Sequence, residues 1–184
     1  MLLNGVLEPI GYSVPLPSSK AADQISVLGQ QNGCAMQLVL LIGLQGSGKS
    51  TFYQRHFADT HVRINLDMLK TRHRERLLLS ACLEAKQPVV IDNTNPTPEE
   101  RGAAKAAGFV VAGYYFQSRV DDCKRRNDLR PPHQVVPLPG LLGTYRRMVQ
   151  PRHEEGFTHL YYVRIDQSGE FVIDKWKPEG AAEP

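Results

Sequence analysis

Short apolar runs that each stop at a polar residue or a glycine punctuate the middle of the chain. Leu38-Val39-Leu40-Leu41-Ile42 ends at Gly43, Val89-Val90-Ile91 ends at Asp92, and the shorter alternating Val62-Arg63-Ile64 ends at Asn65. The first two are continuous Val/Ile/Leu, the composition of parallel strands buried on both faces. A further run over 109–116, with Tyr114, Tyr115 and Phe116 as β-formers, predicts another strand. Between the runs the pattern turns helical. The spacing predicts helices over 50–57, over 68–86 (apolar Leu69, Leu77, Leu78, Ala81 and Cys82) and over 97–107, where Thr97-Pro98-Glu99-Glu100 is a capping box and Gly108 a stop. Helical segments at 121–130 and 137–149 follow. A terminal hairpin is predicted from 158–165 and 170–173, joined by Gln167-Ser168-Gly169. Strands alternating with helices imply an α/β fold with a mostly parallel sheet.

At 184 residues and 41% hydrophobic, the chain suits one α/β domain, expected over 36–178. Residues 1–35, with Pro9, Pro15 and Pro17 and no apolar period, read as a flexible extension, and 179–184 as a disordered tail. A net charge of +3 permits an anionic partner without demanding one. The cysteines, Cys34, Cys82 and Cys123, form no C-x-x-C pair and suggest neither a disulfide framework nor a zinc site, which points to a cytoplasmic protein. No membrane association is expected, since no apolar run approaches ~18 residues and the start lacks a signal-peptide layout.

The first strand runs directly into Gly43-Leu44-Gln45-Gly46-Ser47-Gly48-Lys49-Ser50-Thr51, the P-loop pattern G-x-x-x-x-G-K-[ST] in its strand-loop-helix context. Its glycines let successive N–H groups converge on phosphate oxygens, and the helix dipole points the same way. Gly43, Gln45, Gly46, Ser47, Gly48, Lys49, Ser50 and Thr51 are the candidate contacts to ATP. Lys49 would reach the β- and γ-phosphates and Ser50 would hold Mg²⁺. Asp92 has the place of a Walker B acid, a second candidate metal ligand. It is followed by Asn93 rather than a water-activating glutamate, which favours transfer to a non-water acceptor. Asp67, at the end of the second strand, reads either as chemistry or as a helix cap. Arg126 and Arg130 share a helix face, as a clamp on polyphosphate requires. The alternative is a charged surface helix paired by Asp121, Asp122 and Asp128.

Taken in order, G-L-Q-G-S-G-K-S-T (Gly43 to Thr51), I-N-x-D (Ile64 to Asp67), I-D-N-T-N-P (Ile91 to Pro96), R-N-x-x-R (Arg126 to Arg130), V-P (Val136-Pro137), Y-R (Tyr145-Arg146) and E-G-F (Glu155 to Phe157) resemble the P-loop polynucleotide 5′-hydroxyl kinases. That family includes the kinase domain of polynucleotide kinase-phosphatases and the bacteriophage polynucleotide kinase. The resemblance implies a nucleotide-kinase fold, a mostly parallel five-stranded sheet with the Walker B strand beside the P-loop strand and the hairpin peripheral. It implies that Lys49 and Ser50 engage nucleotide and metal, that Asp67 is the general base, and that Arg126 and Arg130 clamp the phosphates. Asp67, Lys70, Arg72, Asn93 and Asn95 are then candidate contacts to the acceptor, a single-stranded or nicked nucleic acid with a 5′-hydroxyl end. Some members have Arg where this chain has Lys70, which cannot bind a phosphate bidentately. No D-x-D-x-T phosphatase motif is present. The competing expectations are a kinase of a small hydroxylated metabolite or nucleoside, and a nucleotide-dependent switch; the acid beside an intact P-loop argues against the switch.

Overall fold

The computed structural model describes residues 36–105 and 108–177, so the expected N-terminal extension and C-terminal tail lie outside the described residues. A six-stranded sheet carries the fold, in the order β2-β3-β1-β4-β5-β6, with β1 Gln37–Ile42, β2 Val62–Ile64, β3 Val89–Asp92, β4 Val110–Phe116, β5 His159–Ile165 and β6 Phe171–Lys175. Leu38 to Ile42 are fully buried, as the continuous apolar run requires. β1 pairs in parallel with β3 (Leu41 opposite Asp92) and with β4 (Ile42 opposite Tyr115). The phosphate-loop strand and the Walker B strand are therefore neighbours, and their C-terminal ends lie side by side.

The hairpin is not peripheral. β5 pairs in parallel with β4, Tyr115 opposite Tyr162, and completes five parallel strands; β6 adds an antiparallel edge, Tyr162 opposite Asp174. The reason is that β5 buries both faces. Leu160 joins the core cluster of Leu38, Leu40 and Val111, while Tyr161 stacks on Tyr114 at 5.1 Å. Gly113 makes room for this packing, because a Cβ there would lie 2.7 Å from both Leu160 and Phe157.

Around the sheet lie α1 Lys49–His56, α2 Leu66–Leu69, α3 Arg72–Glu84, α4 Val120–Asp128 and α5 Leu138–Arg147. The helix expected over 68–86 is split in two. Lys70 turns to φ 68°, and Thr71 starts a new helix by accepting a hydrogen bond from the Arg74 N–H. The helix expected over 97–107 does not form: a turn leads into a short 3₁₀ segment, Gly102–Lys105. The capping bond from the Glu100 N–H to the Thr97 hydroxyl is present. Fully buried Arg101, however, draws the chain inward, and Gly102 adds no helical preference.

Candidate functional site

The loop between β1 and α1 is a nest of backbone donors held from three sides. The Gly43 N–H donates to the Thr94 carbonyl (3.0 Å) and the Leu44 N–H to the Ser118 hydroxyl (3.1 Å), while the Gln45 side-chain amide donates to the Thr144 hydroxyl (3.1 Å). Gly46, at φ 78°, has no room for a side chain, since a Cβ would lie 2.3 Å from the Cys123 carbonyl oxygen of α4. Lys49 is buried, and its ammonium donates to the carbonyls of Gly43 (2.8 Å) and Leu44 (2.6 Å). Burial lowers its pKa to about 8, with the field of Asp92 opposing the shift. A desolvated lysine held against a glycine-rich loop at a helix N-terminus is the arrangement that holds a polyphosphate.

At the next strand end, the Ser50 hydroxyl donates to Asp92 Oδ2 at 3.0 Å. These are hard oxygen donors side by side, which suits Mg²⁺. The same Oδ2 also accepts from Arg63, through Nε at 2.9 Å and through a short contact from Nη2. Arg63 lies over the Tyr53 ring, 5.2 Å from its centroid.

Asp67 sits in the first turn of α2 and is exposed. The cap is Asn65 instead: its Oδ1 accepts from the Met68 N–H (3.1 Å) and its Nδ2 donates to the Asp92 carbonyl (2.6 Å). Capping therefore does not account for Asp67, which stands at the C-terminal edge of the sheet close enough to contribute to the field at Lys49. Lys70 is exposed at the break that follows.

Other candidate acceptor contacts turn out to brace the loop. Asn93 Oδ1 accepts from the Leu66 N–H (2.8 Å), and its Nδ2 donates to Glu75 Oε1 (2.5 Å). Glu75 is buried and held by Arg72 (2.8 Å), which also reaches Glu100 (3.4 Å). Asn95 is 1% exposed and donates to the Leu41 carbonyl (2.8 Å), too deep to meet a substrate. Beneath it, Arg101 donates to the Asn95 and Val149 carbonyls (3.0 and 3.2 Å) and to both oxygens of Glu155 (2.6 and 2.9 Å).

In α4, Arg126 Nε donates to the Gly46 carbonyl at 2.7 Å, and Arg130 lies past the helix end, near enough to lower the Lys49 pKa. Acid pairing takes up other cations of the helix, Arg125 with Asp122 (3.2 Å) and Lys124 with Asp128 (3.0 Å). A cavity of about 580 Å³, lined in part by Gln117, Arg126, Ile165 and Gln167, opens beside the loop. Sequence reasoning missed Arg63, Glu75, Arg101 with Glu155, and Thr144. Glu75 carried a signal, as the single acid among Arg72, Arg74 and Arg76, and Glu155 another, as the first residue of the E-G-F motif.

A mostly parallel sheet with a lysine-bearing glycine loop at the end of its central strand, and an acid closing the strand beside it, defines a P-loop domain of the kinase type. Residues 38–149 match the family described as the AAA domain, and the chain belongs to that family. It is 30% identical over 135 residues to the bifunctional polynucleotide phosphatase/kinase of Schizosaccharomyces pombe, covering 69% of this chain and 33% of that protein. It is 28% identical over 153 residues to a putative bifunctional polynucleotide phosphatase/kinase of Acanthamoeba polyphaga mimivirus, covering 77% of this chain and 36% of that protein. The chain thus spans about a third of the length of these curated relatives. A gluconokinase structure from Sinorhizobium meliloti shares the fold, with a TM-score of 0.53 at 20% identity over 72% of this chain and 84% of that one. Among the described residues, no helix is long and apolar enough to cross a membrane.

Proposed function

We propose that the protein transfers the γ-phosphoryl group of ATP to the 5′-hydroxyl end of a polynucleotide. The observation that carries the reading is the placement of the buried Lys49 ammonium and the Ser50–Asp92 pair at the adjacent ends of β1 and β3, with exposed Asp67 in the helix that follows β2. The polynucleotide phosphatase/kinases named above supply the substrate class. Lys49 and the loop N–H groups hold the β- and γ-phosphates, and Arg126 and Arg130 approach them from α4 and the residues just past its end. Asp67 accepts the proton of the attacking hydroxyl once that oxygen comes within roughly 2.6–3.2 Å. Ser50 and Asp92 would hold Mg²⁺, which neutralises charge developing on the phosphoryl oxygens. Lys70, exposed at the break three residues after Asp67, would meet the phosphates of the incoming strand.

Labelled ATP offered with 5′-hydroxyl oligonucleotides and small alcohols tests this. Label is expected on the oligonucleotide 5′ end, with a KM for that substrate that rises with salt, at a slope of roughly 0.7 per phosphate contact on a logarithmic plot. Faster labelling of a small alcohol, with a flat salt response for the oligonucleotide, would promote a metabolite kinase.

A further inference from the structure

The motif Tyr145-Arg146 has no part in the machinery above. Tyr145 is 50% exposed on α5, a large ring left at the surface. Its neighbour Thr144 is the residue that receives the Gln45 amide of the phosphate loop, so Tyr145 stands one residue from a direct loop contact. Tyr145 lines a cavity of about 610 Å³ together with Tyr115, Tyr162, Gln117, Gln150 and Arg119. Tyr115 and Tyr162 are paired across β4 and β5 with ring centroids 6.0 Å apart, and Trp176 meets Tyr115 edge-on at 5.1 Å. These rings continue into an adjoining cavity of about 630 Å³ that ends at Lys175. Its one acid, Asp174, lies 3.7 Å from Arg164.

The groove therefore combines flat aromatic walls, side-chain amides that can meet base edges, and a cation at each end. That is the chemistry of a single-stranded nucleic-acid track, in which rings stack bases and cations follow the phosphates. Gln117 and Arg119 also line the separate cavity beside Arg126, so the groove adjoins that cavity. The nucleobase of ATP has room in that separate cavity, where Ile165 would lie 2.9 Å from a Cβ placed on Gly48. We propose that the Tyr145 groove binds bases of a single-stranded segment of the acceptor polynucleotide, with one base stacked on Tyr145. This rests on the polynucleotide reading above.

The test uses Tyr145→Ala, Tyr145→Phe, Tyr145→Leu and Gln150→Ala in the full chain, with a 5′-hydroxyl oligonucleotide carrying 2-aminopurine near that end. Binding to the unaltered protein is expected to quench the 2-aminopurine fluorescence. Tyr145→Ala is expected to relieve the quenching and raise the oligonucleotide KM roughly tenfold or more, with the KM for ATP unchanged. Tyr145→Phe keeps the ring and should behave as the unaltered protein, Tyr145→Leu should follow alanine, and Gln150→Ala should shift the oligonucleotide KM in the same direction. An unchanged oligonucleotide KM in Tyr145→Ala, a rise in the KM for ATP instead, or a leucine variant equal to tyrosine would each overturn the groove alone. Unaltered protein that labels small alcohols but no oligonucleotide would remove the polynucleotide reading, and the groove with it.

Discussion

Replacing Arg63 with methionine should both weaken the fold and free the metal site. Methionine keeps the length of the side chain and its contact with Tyr53 but removes the guanidinium from Asp92. Asp92 is 2% exposed, and its Oδ2 would keep one partner from these two, the Ser50 hydroxyl at 3.0 Å. Removing one partner of a fully buried ion pair costs roughly 3–5 kcal/mol. Arg63 keeps 25% of its side-chain surface exposed, and the serine bond survives, so a discount for solvent brings the expectation to about 2–3 kcal/mol. At roughly 2–4 °C per kcal/mol for a domain of this size, the melting temperature should fall by about 4–12 °C. The bared carboxylate should then attract a divalent cation more strongly. Thermal melts with and without Mg²⁺, with no nucleotide or acceptor, are expected to show a larger Mg²⁺-induced gain in Arg63→Met than in the unaltered protein. Adding Asp92→Asn to Arg63→Met should recover much of the lost stability and abolish the Mg²⁺ gain. An unchanged melting temperature in Arg63→Met, or identical Mg²⁺ gains in both proteins, would refute the reasoning.

Asp67→Asn should lose at least a hundredfold in kcat while ATP affinity, read by calorimetry, stays within a fewfold; an equal fall in both would assign Asp67 to the nucleotide or the fold. Burial holds the Lys49 pKa at about 8 against an ordinary 10.5, so the folded protein loses that proton before the unfolded chain does. Stability should therefore rise with pH between about 8 and 10.5, by up to about 3 kcal/mol, and denaturant titrations of Lys49→Met should show no such rise. Arg101→Met strands Glu155 and two carbonyls, and should cost about 3–5 kcal/mol by chemical denaturation. Arg101→Lys should rescue little, because an ammonium cannot reproduce the two-pronged bond to Glu155.

The parts of the site that were legible in the sequence are those whose geometry is local. The phosphate loop needs only its own strand, glycines and helix, and Val89-Val90-Ile91-Asp92 marks itself by an apolar run closing on an acid. What escaped depends on distant pairing. Whether the run at 158–165 stays at the edge or enters the sheet depends on Gly113 leaving space for Leu160 and Phe157, far back in the chain. Arg63 looked like the polar position of an alternating strand until β2 and β3 came together and set it against Asp92. Asn95 looked like an acceptor contact in a D-N-T-N-P loop, yet its amide is spent on the Leu41 carbonyl below. The two short helices at 66–84 share one helical composition, and only the backbone at Lys70 separates them.

The fit of Gly46 against Cys123 sets where a lid could bend. With the first part of α4 resting on the loop and Arg126 bonded to Gly46, that end of the helix cannot lift without dismantling the phosphate nest itself. One turn later, Asn127 is stapled in both directions to Val136, accepting from its N–H (3.0 Å) and donating to its carbonyl (2.9 Å). The staple pinches off residues 128–135 as an excursion that carries Leu129, 81% exposed, and Arg130 on a fixed base. The two arginines that share a face on a helical wheel thus part company: Arg126 is tied to the Gly46 carbonyl, and Arg130 lies beyond the helix end within the stapled segment. Under the proposed function, closure over a phosphate would then be the swing of this short loop rather than of a helix.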